Sequence, residues 1–467
     1  MARSRTVTRP LGLPVAVTHR SSRPFTSRVT RGTARNARWF GAALAIVAAA
    51  ACAVRVAYVL VDRRDFNPGG DAYFYHAGAN LLADGKGFIE PYLYPLAHSP
   101  AAEHPPLYLI FLSVPSFLGM HSVLTHLVWS CLLGTATVIL VGLVGRAVAG
   151  ERVGIIAALV AALYPNIWAP DGMLQAESLA MFFTMLAVLL AYRYWRRPSL
   201  ARVVLLGAAC GAGALARSEL WLLVPLLVLP LALRTRDRPI RDRLAWCGAA
   251  TLAAALAITP WTIYNATRFE HPIILSSQLG PLLSAANCDS TYYGNLQGYY
   301  DIGCTMQVDR RRNTAHDDQS IEDQANRRAA FAYIRGHLSR LPTVERVRLQ
   351  RILGLYKPSL YVHEDALLEG RDLWVSWAGL WSFYGLALLS IAGTFVLVRR
   401  RDPRVPVLPL LAPIVVVVLT VLATYASTRF RAIAEPSLAI LAAVAVEWLV
   451  RGIFLRARHA SRRLGYA

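Results

Sequence analysis

Leu107-Tyr108-Leu109-Ile110-Phe111-Leu112-Ser113-Val114-Pro115-Ser116-Phe117-Leu118 is apolar almost from end to end, yet it is only about 12 residues long where a helix needs ~20 to cross a bilayer. It therefore reads as an interfacial or re-entrant helix, and that reading orients the chain. With this stretch set aside, the apolar segments 122–144, 153–168, 174–192, 203–216, 220–233 and 244–264 put every Arg-rich connection on one side, the cytoplasmic side by the positive-inside rule. Counted as a span, it inverts the pattern.

Working outward, a first span at 39–61 follows an Arg-rich tail and has no convincing small-x-small cleavage site, so it reads as a retained helix. Segments 373–398, 405–423 and 432–450 return the chain to the cytoplasm, for about ten spans in all. The 467 residues are 55% hydrophobic, with mean hydropathy +0.40 and a formal net charge of +21. In a soluble protein that charge would suggest nucleic acid. Here the arginines concentrate at 3–38, 193–202, 234–243, 399–404 and 451–463, in the tails and connections where the positive-inside rule wants them, and no nucleic acid partner is expected.

The expected protein is all-α and polytopic in the cytoplasmic membrane. A basic cytoplasmic tail (1–38) leads into an N-terminal transmembrane module (39–266) with an outer loop at 62–121. A mixed extracytoplasmic loop domain (267–372), C-terminal transmembrane helices (373–453) and a second basic tail (454–467) follow. Helical spacing is evident over 72–83 and in two stretches of 321–356 divided near Pro342. No fixed repeat and no inverted symmetry of the transporter kind is visible.

Asp71, Glu103, Glu177, Arg217, Arg429 and Arg431 all fall at span ends on the outer side. Ionisable groups at a membrane boundary are costly to dehydrate and tend to mark a substrate or ion path. Each has a plainer reading as well. Asp71 could cap the following helix, Glu177 could complement a helix dipole, Arg429 and Arg431 could snorkel to headgroups, and His104 could be a surface residue before a Pro pair. Trp261 reads as an interfacial anchor. Cys52, Cys131, Cys210 and Cys247 lie in apolar segments and read as packed thiols. Cys288 and Cys304 share a polar outer loop, where an oxidising compartment favours a disulfide.

Taken together, several outer segments resemble the polyprenol-phosphate-dependent glycosyltransferases of the GT-C fold, especially glycosyltransferase family 39 and the aminoarabinose-transferase group. Gly69-Gly70-Asp71-Ala72-Tyr73-Phe74-Tyr75 is similar to that family's catalytic acidic segment, with Asp71 at the base position and Ala72 where many relatives have a second acid. Glu103-His104-Pro105 resembles a Glu-Lys-Pro segment with His104 in place of Lys, which makes the charge there pH-dependent. Leu163-Tyr164-Pro165 followed by Glu177-Ser178-Leu179 is similar to the acidic site on the fourth span. Ala214-Leu215-Ala216-Arg217 resembles the run that ends in a cation facing the donor phosphate. Pro260-Trp261-Thr262-Ile263-Tyr264-Asn265 and Thr428-Arg429-Phe430-Arg431, running on to Glu435-Pro436, resemble the Pro-Trp-x-x-x-Asn and Arg-Tyr-Arg-x-x-x-x-Pro elements.

The resemblance implies a mannosyltransferase-like, inverting enzyme that moves a monosaccharide from a polyprenyl-phosphate donor to an acceptor hydroxyl at the outer membrane face. The chemistry asks for a base, and Asp71 is the candidate. It also asks for fixed cations on a phosphate leaving group, for which Arg217, Arg429, Arg431 and His104 are the candidates. Glu103, Glu177, Tyr75 and Asn265 would support them. No cofactor is required, although Asp71, Glu103 and Glu177 are ligands that would suit a divalent cation. The partners are the lipid-linked sugar, membrane lipid and an acceptor that is a protein, a glycolipid or a cell-wall polysaccharide. The alternative is a transporter or flippase of a lipid-linked sugar, which would place charges near mid-span and broken helices in paired halves.

Overall fold

The computed structural model of the chain describes residues 26–235, 237–312 and 318–463. Residues 1–25 and 464–467 of the expected tails lie outside the described residues. The chain divides into two units, Met1–Ala42 and Ala43–Ala467. The described part of the first unit is helical, because the first helix begins at Thr26 and runs to Asp62.

Among the described residues six helices are long and apolar enough to cross a membrane: Arg38–Asp62, Val123–Ala149, Glu177–Arg196, Ile240–Ala266, Leu373–Arg400 and Glu435–Phe454. The expected span at 153–168 differs. It is a bent pair, Glu151–Leu163 and Pro165–Gly172, turned by 72° at the break. Pro165 explains the break: it has no N–H to continue the helix, and it pushes Tyr164 out to φ −76, ψ 117. Three other expected spans form shorter apolar helices at Leu200–Ala214, Ser218–Leu233 and Leu408–Ala423. Ser218–Leu233 passes through a 3₁₀ turn and a π turn, consistent with Pro225 and Pro230 interrupting its hydrogen bonds. The deciding stretch of the sequence is the 11-residue helix Leu107–Phe117.

Among lipid tails there is little hydrophobic drive between helices, so close packing relies on small residues that bring backbones together. A Cβ on Gly207 or Gly211 would stand 2.1 and 2.3 Å from the carbonyl oxygens of Ala250 and Ala254, which fixes Leu200–Ala214 against Ile240–Ala266. Gly393 does the same for Leu373–Arg400, its Cβ position lying 1.8 Å from the Leu441 oxygen. The bent segment is pinned by charge. Arg55 Nε donates to Asp171 Oδ2 at 2.9 Å, with both side chains fully buried.

Between the spans, 267–372 is a set of helices joined by turns and irregular segments, with helices Leu279–Ala286, Ile302–Arg312, Gln319–Gly336, Leu341–Ile352 and Pro358–Leu368 among its elements. The expected break near Pro342 falls at the turn 337–340, just before Leu341–Ile352. A disulfide joins Cys288 and Cys304. Among the described residues the β pairing noted is an isolated bridge between Ile89 and Pro100.

Candidate active site

Asp71 opens the helix Asp71–Ala83, and Gly70 in front of it has φ +50, a conformation that favours glycine. The cap position therefore belongs to Gly70, and the Asp71 side chain makes no cap bond. It turns instead toward other elements. Asp71 Oδ2 accepts from Arg429 Nη2 at 2.7 Å, and Oδ1 lies 3.4 Å from His104 Nε2.

Glu177 begins the helix Glu177–Arg196, just beyond the bent span and after Leu174, a non-glycine residue at φ +51. Its side chain is 0% exposed, and its Oε1 accepts from both Arg217 Nη1 at 2.5 Å and Arg429 Nε at 2.7 Å. Arg217 also donates from Nε to Glu219 at 2.6 Å, and its guanidinium sits 5.2 Å from the Phe430 ring centroid. Arg429 has a further partner that sequence reasoning missed, since Nη1 donates to Glu369 Oε2 at 2.8 Å. Glu369 follows Pro358–Leu368 and lies four residues before Leu373–Arg400. The available signal was an acidic residue at a span boundary, the same signal that marked Asp71 and Glu177.

Burial opposes charge on all these groups, and the neighbours decide the outcome. Burial pushes the Asp71 carboxyl up, but the Arg429 and His104 charges overcome it and hold it well below the usual range. For His104 burial pushes down, yet Asp71 and then Glu103 raise it overall, so it favours the protonated form. Glu103 is pushed up to about 7, chiefly by burial. Glu369 is likewise pushed up to about 7 by burial, against the pull of Arg429.

The rim is aromatic. Tyr75 is buried between His104 and Tyr108, with ring centroids 5.1 and 4.9 Å away. Tyr300 packs on Tyr425 at 4.8 Å, and Tyr425 on Phe430 at 5.0 Å. The helices of 267–372 latch on through glutamines. Gln278 donates to Glu103 Oε1, while Gln319 donates to Glu90 Oε2 at 3.0 Å and accepts from the Ala102 N–H at 2.9 Å.

Two expected site residues lie elsewhere. Arg431 is buried, donates to Glu435 and to the Ile352 oxygen at 3.0 Å, and stacks over Phe383 at 3.6 Å. Residues two apart on a helix project to different sides, and Arg431 has none of the partners of Arg429. Asn265 is buried in the last turn of Ile240–Ala266, where it donates to the Ile273 oxygen at 3.4 Å. Trp261 is no exposed anchor either. It is buried against Phe88 and donates to the Leu275 oxygen at 2.9 Å. As for a cation, Arg429 bridges Asp71 and Glu177, and among the described residues no group of three His, Cys, Asp or Glu side chains is arranged to hold a metal ion.

Solved structures of similar fold include the oligosaccharyltransferase AglB of Archaeoglobus fulgidus in complex with an inhibitory peptide and a dolichol-phosphate, with TM-score 0.53, 14% identity, and coverage of 92% of this chain and 52% of that one. The Archaeoglobus fulgidus oligosaccharyltransferase with Zn and sulfate gives TM-score 0.53, 15% identity, and coverage of 90% and 50%. ArnT from Cupriavidus metallidurans bound to undecaprenyl phosphate aligns at TM-score 0.41 and 15% identity, over 86% of this chain and 77% of that one. This chain spans about half the length of the archaeal enzyme. No curated protein matches it. The chain is a multi-pass, all-helical membrane protein with the GT-C architecture. Within it, residues 103–264 match the family described as dolichyl-phosphate-mannose-protein mannosyltransferase.

Proposed function

We propose that the protein transfers a monosaccharide from a polyprenyl-phosphate donor to an acceptor hydroxyl at the outer face of the cytoplasmic membrane. The observation that carries this reading is the single Arg429 guanidinium held by Asp71 and Glu177, with Arg217 sharing Glu177. A carboxylate suited to act as a base and two arginines suited to bind phosphate are thus linked by ion pairs through Glu177.

In the reaction as drawn, Asp71 takes the proton of the acceptor hydroxyl while that oxygen attacks the sugar's anomeric carbon. The bond from that carbon to the phosphate oxygen breaks, and the electron pair leaves with the phosphate. Single displacement inverts the anomeric centre. Arg217 and Arg429 stabilise the charge that grows on the departing phosphate, for which a rigid guanidinium fork is well suited. Asp71 is a weak base while Arg429 holds it. Phosphate arriving on Arg429 diminishes that hold and raises the Asp71 pKa, so donor binding would prime the base. The side chains of the chain carry these proton and charge movements, with no cofactor step. The acceptor remains of the hydroxyl-bearing class, whether protein, glycolipid or polysaccharide.

The test is transfer from radiolabelled polyprenyl-phosphate mannose, glucose and arabinose to membrane acceptors. Asp71→Asn should abolish transfer while leaving donor binding in place, and Arg217→Ala or Arg429→Ala should weaken donor binding. If all three variants retain wild-type transfer, the reading is wrong.

A further inference from the structure

All three guanidinium nitrogens of Arg429 are engaged: Nε with Glu177 at 2.7 Å, Nη1 with Glu369 at 2.8 Å and Nη2 with Asp71 at 2.7 Å. Asp71, Glu177, Glu219 and Glu369 bring four carboxylates against three cationic groups, the guanidiniums of Arg217 and Arg429 and the His104 imidazole. A lipid phosphate approaching this cluster meets net negative charge and a saturated fork, so one carboxylate must give way.

The three partners are not equal. Glu177 is 0% exposed and holds both arginines through one oxygen. Asp71 is 31% exposed and also answers to His104. Glu369 is joined to the cluster by its one bond to Arg429, and it sits at the end of Pro358–Leu368, ahead of Gly370 at φ +65. Beyond it one backbone carbonyl and two side chains are tied to other elements. Arg63 Nη2 donates to the Gly370 oxygen at 3.0 Å, Tyr58 to Asp372 at 2.6 Å, and Arg371 Nη2 to Asn166 at 2.6 Å. Among the described residues Glu369 has a single ion pair, so its release breaks one bond to Arg429.

It also has somewhere to go. A small cavity beside Arg429, walled in part by Pro170 and Met173, takes its polar lining from Glu369, Arg371, Asp365 and Gln175. Arg371 lines it with its Nε buried and without a hydrogen-bond partner. Asp365, the neighbouring carboxylate, makes no ion pair with Arg371 among the described residues and instead accepts from Thr428. An orphaned guanidinium N–H in a buried site is costly.

Resting on the phosphate-site reading above, we propose that Glu369 is a placeholder for the donor phosphate: the phosphate takes its position on Arg429 Nη1 while the Glu369 side chain turns across the cavity onto Arg371 Nε. The exchange replaces one anion by another on Arg429, leaves Arg429 with Asp71, Glu177 and the phosphate, and gives Arg371 a carboxylate partner. Arg371 is a positioning residue for Glu369, two positions along the chain, and does not touch the donor.

The test is a double-mutant cycle read as equilibrium binding of undecaprenyl phosphate to the full chain in detergent at pH 8. Glu369→Gln, which removes the competing charge, should bind about tenfold tighter, and Arg371→Met, which removes the receiving donor, about tenfold weaker. The double variant should bind as Glu369→Gln does, because no carboxylate then needs a new partner. If Arg371→Met has no cooperative melting transition, Arg371→Lys replaces it in the cycle. Arg429→Ala is the control and should lose binding in every background. Loss in Arg429→Ala with unchanged affinity in Glu369→Gln overturns the exchange and leaves the phosphate site standing. An additive loss in the double variant overturns the role of Arg371. Wild-type binding by Arg429→Ala overturns the phosphate site itself and the exchange with it.

Discussion

Glu177 and Arg431 show how much a single side chain's surroundings decide. Both sit beside span ends and both are buried, but Glu177 joins Arg217 to Arg429 whereas Arg431 is committed to Glu435 and a backbone carbonyl. Removing one member of a buried ion pair typically costs about 3–5 kcal/mol. Arg431→Ala should therefore lower the melting temperature clearly while leaving the donor KM of the folded protein unchanged; a donor KM raised as much as in Arg429→Ala would return Arg431 to the site. His104 gives a pH prediction. Its pKa is raised overall, Asp71 and Glu103 outweighing burial, so its contribution is fully present at low pH and is lost as pH rises through the folded value. Donor KM should rise on the alkaline side, and His104→Lys, with a charge that persists, should flatten that limb. Glu103 works in the same direction for stability. With its pKa pushed up to about 7 by burial, folding loses stability as pH climbs from the ordinary carboxylate range toward that value, and Glu103→Gln should remove this part of the pH dependence in thermal melts.

At the scale of elements, the site depends on helices whose ends are held in register by close contacts. Gly211 lies on Leu200–Ala214, which delivers Arg217, and a Cβ there would meet the Ala254 oxygen at 2.3 Å. Gly211→Leu should push this helix from Ile240–Ala266 and reduce donor binding and stability together, measurable as a lowered melting temperature and weaker undecaprenyl phosphate binding; an unchanged melt would mean that the helix contact is not limiting. The helices of 267–372 are braced by Cys288–Cys304 and reach Glu103 and Glu90 through Gln278 and Gln319. In the chain-entropy account a ring of this size contributes about 3 kcal/mol. Cys288→Ser should lower acceptor use more than donor binding if the brace serves the acceptor side. Equal loss of both would assign it to stability alone.

For the whole molecule, the remaining prediction is which side the site faces. Single cysteines at Asp237 and Asp402 should need a membrane-permeant reagent, and one at Asn295 should not; the reverse labelling would move the site to the cytoplasmic face. The sequence by itself determined the class of protein, because bilayer thickness and the arginine bias act on local composition: apolar length, the short Leu107–Phe117 helix and the all-helical architecture are legible without neighbours. It also singled out Asp71, Glu177, Arg217 and Arg429, since charge at a span end is a local anomaly. Only the tertiary structure decided which of those charges meet. Arg429 and Arg431 are alike in sequence, yet the direction of a side chain around one helical turn sends the first to Asp71 and the second to Glu435. Glu369 joins the cluster from 60 residues earlier in the chain, and Asn265 drops out of it. Partner choice among buried charges depends on which helices pack together, and no local pattern in the chain encodes that.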